Sequence, residues 1–329
     1  MRFWIRILVV AASLQTLQLM AQNLSNPVQV ALLRWYGANA VTQFATCAIP
    51  QGLAFDRVHV WVACGGSGNE LQEFNFSDGT LVATITGIVS PYSLVYDGAN
   101  IWATNPGSGT VTEVAAATGS ILGTFAVGTS PTGITFDGQY IWVTNSGSNS
   151  ISKILATTGG VAATYSLSAC SHPWSAVFDG TNVWVVCHNT NTILQVSPTG
   201  SVLHTVTVGT SPTFASYDGE VGQTNGPFIW VTNNASATVS KVSVATHSLV
   251  ANYSVGSGPY GVAFDGAYIW VANGSDNTVT KLTQSTGAQV AGSPFSGATG
   301  APLSAPVFVA FDGGNMWISN TSSGTVSKF

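Results

Sequence analysis

The sequence predicts an all-β fold, a seven-bladed β-propeller with four-stranded blades. Three observations carry that prediction. One unit recurs seven times, its period is that of a four-stranded blade, and no amphipathic helical pattern follows the N-terminal segment. The repeat is plain when PTGITFDGQYIWVTNSGSNSISKILATTG (131–159) is set against PYGVAFDGAYIWVANGSDNTVTKLTQSTG (259–287). The two share a Pro, an aromatic-Asp-Gly triplet, Ile-Trp-Val, an Asn, a small polar loop, a Lys and a Thr-Gly.

Each element follows from local chemistry. GITFD and YIWVTN are short runs rich in β-branched and aromatic residues around a Gly-containing turn, and SISKIL and VAATYS follow around TTGG. These are strands A to D. YIWV is continuously apolar, as a strand buried on both faces between stacked blades should be. The triplet aspartates recur as Asp56, Asp97, Asp137, Asp179, Asp218, Asp265 and Asp312, spaced by 41, 40, 42, 39, 47 and 47 residues. An Asp in a tight A–B turn bonds a following backbone N–H, so a structural role is expected for all seven. The tryptophans Trp61, Trp102, Trp142, Trp184, Trp230, Trp270 and Trp317 are expected to fill the space between blades. Lys153, Lys241, Lys281 and Lys328 share one strand-C position with Glu73, Glu113 and Gln195; the change of sign between blades predicts a solvated position.

Ring closure is predicted from the first and last copies. GTVSKF at 324–329 reads as strand C of the seventh unit, and NAVTQFATCAIP (39–50) reads as a strand D running into the first repeat Pro. The N-terminal strand is therefore expected to complete the last blade, a three-plus-one closure that leaves no open edge. The domain reading is a signal peptide over 1–21, a lead-in segment over 22–37 and the propeller over 38–329. Arg2 and Arg6 precede a mostly apolar run from Ile7 to Leu19, with Ala21 at a plausible cut. A retained anchor is the alternative, although the run is short for a membrane span. The expected location is secreted or periplasmic, with no membrane span after signal removal and a monomeric chain.

The units FDGQYIWVTN, GPFIWVTN and FDGAYIWVAN, preceded by VGTSPTG, resemble YVTN-type repeat propellers and, more loosely, the virginiamycin B lyase group. The resemblance covers nearly the whole propeller segment and implies its fold. Such families include enzymes and binding proteins, so no single activity follows. The lyase resemblance implies His and Glu catalysts with a magnesium ion. No such motif matches here residue by residue, and no catalytic residue is carried over.

Only 6% of the residues are charged, eight Lys+Arg against thirteen Asp+Glu, for a net charge of −5. Nucleic acid is excluded as a partner, because phosphate contacts need clustered Lys and Arg. Function is expected on the face formed by the D–A and B–C loops, which vary between blades. The residues that stand out there are Tyr92, Trp174 and Tyr260, each directly after a repeat Pro, together with His172, His188, Glu70 and Asp276. Aromatics among Ser, Thr and Asn suit a neutral, glycan-like ligand or a protein partner. The alternative is a lyase- or hydrolase-type enzyme in which His172 or His188 acts as acid or base with Glu70 or Asp276. No cofactor is expected.

The cysteines pair by position. Cys64 and Cys187 stand where the other units carry Asn105, Asn145, Asn233, Asn273 and Asn320, and Cys47 and Cys170 each lie three residues before a repeat Pro. Matched replacement at both positions, in the first and fourth units, predicts the disulfides Cys47–Cys64 and Cys170–Cys187. Four cysteines in two distant blades do not converge into one zinc cage, and no metal site is expected.

Overall fold

The computed structural model describes residues 42–66, 68–219, 226–298 and 301–329. The expected signal peptide and lead-in segment, and most of the long A–B connection of the fifth unit (220–227), lie outside the described residues. Those described build seven antiparallel sheets in a ring. Blade 3 is typical: strand A is Pro131–Phe136, B is Tyr140–Asn145, C is Ser150–Leu155 and D is Val161–Ser166, each hydrogen-bonded to the next. The seven A strands touch one another in a closed cycle in which the first meets the seventh. Gly52 shows how close that approach is. A Cβ there would lie 2.4 Å from the Tyr92 carbonyl oxygen of the next blade, and the Gly52 N–H donates to that same oxygen at 2.7 Å.

Closure runs as expected. Thr42–Ala45 pairs with Thr325–Lys328 in the register Thr42 to Lys328 and Ala45 to Thr325, which makes it the outer strand of blade 7. Blade 6 departs from the pattern, because its regular sheet has three strands. Its fourth edge is covered by an irregular run from Gln289 to Phe295, through bridges Val279 to Phe295 and Leu282 to Gln289. The Gly/Pro-rich sequence there cannot hold a regular strand, yet it still meets the backbone groups of strand C.

The triplet aspartates do more than close a turn. In blade 3, Asp137 Oδ1 accepts from the Gln139 and Tyr140 N–H groups at 2.8 and 2.6 Å, and Oδ2 accepts from Trp142 Nε1 at 2.7 Å. The Asp-to-indole bond recurs in all seven blades at 2.7 to 3.1 Å. It lets a Trp be buried between blades with its one polar atom satisfied.

The strand-C position opposite each Trp is a correction to the sequence reading. It is not solvated: Lys241 is 3% exposed, Gln195 3%, Glu73 6% and Glu113 7%. The lysines lie over aromatic rings, Lys241 Nζ 3.9 Å from the Phe228 ring centre and Lys153 Nζ 4.0 Å from that of Tyr140. Three of the four ammonium groups also reach a backbone carbonyl of the following blade, Lys153 to Pro198 at 2.7 Å, Lys241 to Gln284 at 2.9 Å and Lys328 to Phe76 at 2.6 Å. A long stem covering apolar surface, with its head satisfied by ring faces and carbonyls, makes burial of the charge tolerable.

Candidate functional site

Both predicted disulfides are present, Cys47–Cys64 and Cys170–Cys187, with Cα separations of 5.8 and 5.2 Å. They indicate an oxidising environment outside the cytoplasm. Among the described residues no helix is long and apolar enough to cross a membrane. The bridges replace a noncovalent tie that is seen in blade 3. In blade 3, Asn145 Oδ1 accepts from the Gly128 N–H at 3.1 Å, and its Nδ2 donates to Ser150 and Ser152. A Cβ at Gly128 would come within 2.6 Å of Asn145 Cγ, and Gly209 and Gly256 meet Asn233 and Asn273 in the same way. The sequence exchanges a Gly–Asn pair for a Cys–Cys pair, and the D–A loop stays tied to the end of strand B.

That tie positions the residues beside Cys170 and Cys187. His172 precedes its blade's Pro and adopts φ of +59°; its N–H donates to Asn149 Oδ1 of the preceding blade at 2.8 Å. Ser90, Ser211 and Ala305 occupy the same backbone position and donate to Asn69, Asn191 and Asn277. The frame is thus shared by several blades, and only the side chain differs. His172 stacks on Trp174 with ring centroids 5.2 Å apart, and His188 lies 5.5 Å from Trp174 and 6.0 Å from His172. His188 Nδ1 meets the Pro212 carbonyl at 2.9 Å. A carbonyl only accepts, so Nδ1 carries a proton, and in the neutral ring this leaves Nε2 as an acceptor. Burial, reinforced by His188, lowers the His172 pKa, which favours the neutral ring.

Trp174 continues into an aromatic cluster drawn from other blades. Tyr92 and Tyr260 meet its edges at 6.3 and 6.4 Å, and their hydroxyls lie 3.2 Å apart. Phe214 and Phe308 extend the cluster against Tyr260 and Tyr92. Desolvation raises the pKa of both tyrosines, that of Tyr92 strongly. Trp174 Nε1 is buried with no hydrogen bond among the described residues, although it lies near enough to Tyr92 to favour its ionised form slightly. Phe214 and Phe308 were missed in the sequence because each stands two residues after a repeat Pro, where the other blades carry Gly or Ser.

Glu70 and Asp276 do not join this group. Glu70 accepts from Gln72 within its own strand at 3.0 Å. Asp276 Oδ2 accepts from the Ser257 N–H at 2.6 Å, a bond that Ser148 and Ser236 make to Thr129 and Thr210 in blades 3 and 5. Among the described residues, no carboxylate lies within 4.0 Å of either His172 or His188.

Neither a protein-family model nor a curated protein sequence matches the chain. Solved structures do. A streptogramin B lyase superposes with a TM-score of 0.72 at 17% identity, over 88% of this chain and 96% of that one. Virginiamycin B lyase from Staphylococcus aureus gives 0.71 at 18% identity, over 88% and 98%. Hydrazine synthase from Kuenenia stuttgartiensis gives 0.70 at 17%, over 86% and 96%. At such identities the likeness establishes the fold. The protein is a seven-bladed propeller, disulfide-stapled in blades 1 and 4, with an imidazole–indole cluster on its loop face.

Proposed function

We propose that the protein is a secreted or periplasmic binding module. It takes a neutral, hydroxylated, glycan-like ligand on the D–A and B–C loop face, over His172, Trp174 and His188, with Tyr92 and Tyr260 beneath. The observation that carries this reading is the stack of His172 on Trp174, held from both sides by a disulfide and by Asn149. Flat, preorganised rings bind the apolar face of a sugar at little entropic cost, and the Nε2 of a neutral His188 ring offers an acceptor to a hydroxyl. The test is titration of the full chain with a panel of neutral oligosaccharides, followed by calorimetry and tryptophan fluorescence. A ligand is expected whose affinity falls at least tenfold in Trp174→Ala and severalfold in His172→Asn. Binding unchanged in both variants, or no binding across the panel, refutes the reading.

A second reading has one support. A catalytically inactive histidine-to-alanine variant of virginiamycin B lyase has been solved with quinupristin, and it shares this fold. Lyase chemistry here would place His188 as the base, although neither imidazole is oriented by a carboxylate. Turnover of quinupristin by the native chain and its abolition in His188→Ala would establish it.

A further inference from the structure

At the opposite end of blade 1, where the A–B turn meets the end of strand C, the charge pattern of the ring is inverted. In blades 3, 5, 6 and 7 a lysine stands opposite the tryptophan. Its ammonium lies 4.3 to 5.3 Å from that indole, and in blade 6 it reaches the turn aspartate, Lys281 to Asp265, at 4.0 Å. These four blades therefore hold a positive charge above the indole, and in blade 6 it faces the turn carboxylate. Blade 1 carries Glu73 there, opposite Trp61, and so sets a second carboxylate beside Asp56. Between the two stands His59, where blades 3 and 6 have Tyr140 and Tyr268. Blade 2 also has a glutamate at this place, but Asn100 Nδ2 donates to Glu113 at 2.8 Å. Blade 4 has the neutral Gln195. Blade 1 alone combines two acids with an imidazole.

We propose that Asp56, His59 and Glu73 form a binding site for a divalent transition-metal ion of the zinc type. His59 Nδ1 is 2.8 Å from Glu73 Oε1 and 3.4 Å from Asp56 Oδ2, and the three ligand atoms lie within 4.8 Å of one another. Ligands about 2.0–2.2 Å from a tetrahedral ion are about 3.3–3.6 Å apart. The Asp56–His59 spacing is already of that size, and Glu73 needs to withdraw only by about half an ångström. Asp56 Oδ2 accepts one bond, from Trp61 Nε1 at 2.8 Å, and keeps a lone pair. The turn bonds from the Val58 and His59 N–H groups fix the Asp56 carboxylate, and strand pairing fixes Glu73. An imidazole with two carboxylates suits zinc and its neighbours rather than calcium or magnesium, which prefer oxygen alone. Glu73 is nearly buried while His59 is a quarter exposed at its side chain, so the ion would enter past His59 and keep a water on that side.

The rival occupant is a proton, because an imidazolium at His59 also balances the two carboxylates. The experiment separates them. The full chain, freed of metal by chelation, is titrated with Zn²⁺ by calorimetry and with Co²⁺ by visible absorption at neutral pH. One equivalent is expected, with the intense absorption of a low-symmetry cobalt site and a raised melting temperature. Binding is expected to weaken at least tenfold in His59→Asn and in Glu73→Gln. The paired change His59→Tyr with Glu73→Lys installs the residues of blades 3 and 6, and is expected to fold normally with no binding. His204→Ala, which disrupts the stacked His204–His247 pair between blades 4 and 5, is expected to leave the stoichiometry unchanged. The proposal is overturned if no saturable binding occurs, if binding survives in the His59→Tyr/Glu73→Lys protein, or if acid alone raises the melting temperature while Zn²⁺ does not.

Discussion

Blades 1 and 4 each carry a disulfide between a residue three before the repeat Pro and the last residue of strand B, yet their distinguishing side chains sit at opposite ends. In blade 4 they are His172, Trp174 and His188, beside the staple on the loop face. In blade 1 they are His59 and Glu73, at the far end of the same sheet, while the loop residues there are Gly65 and Gln51. The staple is therefore not the signature of a site. It is one of two ways in which this ring ties a D–A loop, the Gly–Asn contact of blade 3 being the other, and each end of a blade varies independently once the ladder and the Asp–Trp bond have placed the strands.

The comparison can be broken most forcefully at the staples. Replacing Cys170 and Cys187 by serine is expected to cost about 3 kcal/mol, as is the same change at Cys47 and Cys64, measured by urea denaturation. The pair Cys170→Gly with Cys187→Asn, which copies blade 3, is expected to recover about 1 kcal/mol of that through the restored hydrogen bonds. Equal loss in the serine and Gly–Asn proteins would show that the two ties are not equivalent. A smaller difference separates the turn acids. Asp179→Ala leaves the buried Trp184 Nε1 and two N–H groups without their acceptor, and about 2 kcal/mol of stability should go. Asp56→Ala should cost less, because it also removes the neighbouring negative charge that helps to raise the Glu73 pKa.

The smallest effect is one of pH. The His172 pKa is lowered in the folded protein by burial and by His188, so the unfolded chain takes up its proton first as pH falls. The contribution of neutral His172 is thus complete above the ordinary histidine pKa of about 6.5 and declines as pH drops below it. Between pH 7 and pH 5 the native protein should lose more stability than His172→Asn. Parallel curves would mean that the ring is hydrated in the native state.

The fold was legible because repetition removes ambiguity. Seven Pro, Asp and Trp positions in register define strands A and B, and the pairing of Thr42–Ala45 with Thr325–Lys328 follows from counting strands. The disulfides were legible for a related reason, since departure from a repeat at two matched positions is a geometric statement. The strand-C lysines were misread. Mixed charge at one position resembles solvation when only sign is considered, and it takes the neighbouring blade's carbonyls and rings to show that a buried ammonium is satisfied there. Asp56, His59 and Glu73 escaped notice because Asp56 has six structural counterparts and the other two lie on different strands. Which side chains meet across the ring axis, as Tyr92 and Tyr260 do, depends on distances that spacing along the chain does not encode.

One detail of the blade borders reaches further. In the C–D turns of blades 1, 3, 4 and 6 the positive-φ residue is Gly79, Gly159, Gly200 or Gly287, and a Cβ there would collide with Phe44, Phe125, Tyr165 or Tyr253 of the blade before. In blade 5 that residue is His247, at φ +51°, and the preceding blade offers Val206 in place of an aromatic ring. His247 instead stacks towards Trp184 and on His204. Neighbouring blades therefore carry matched halves of a lock. Moving blade 5 behind a blade that ends in Phe or Tyr would drive an imidazole into a ring, so these repeats, alike as they look, are not freely exchangeable around the circle.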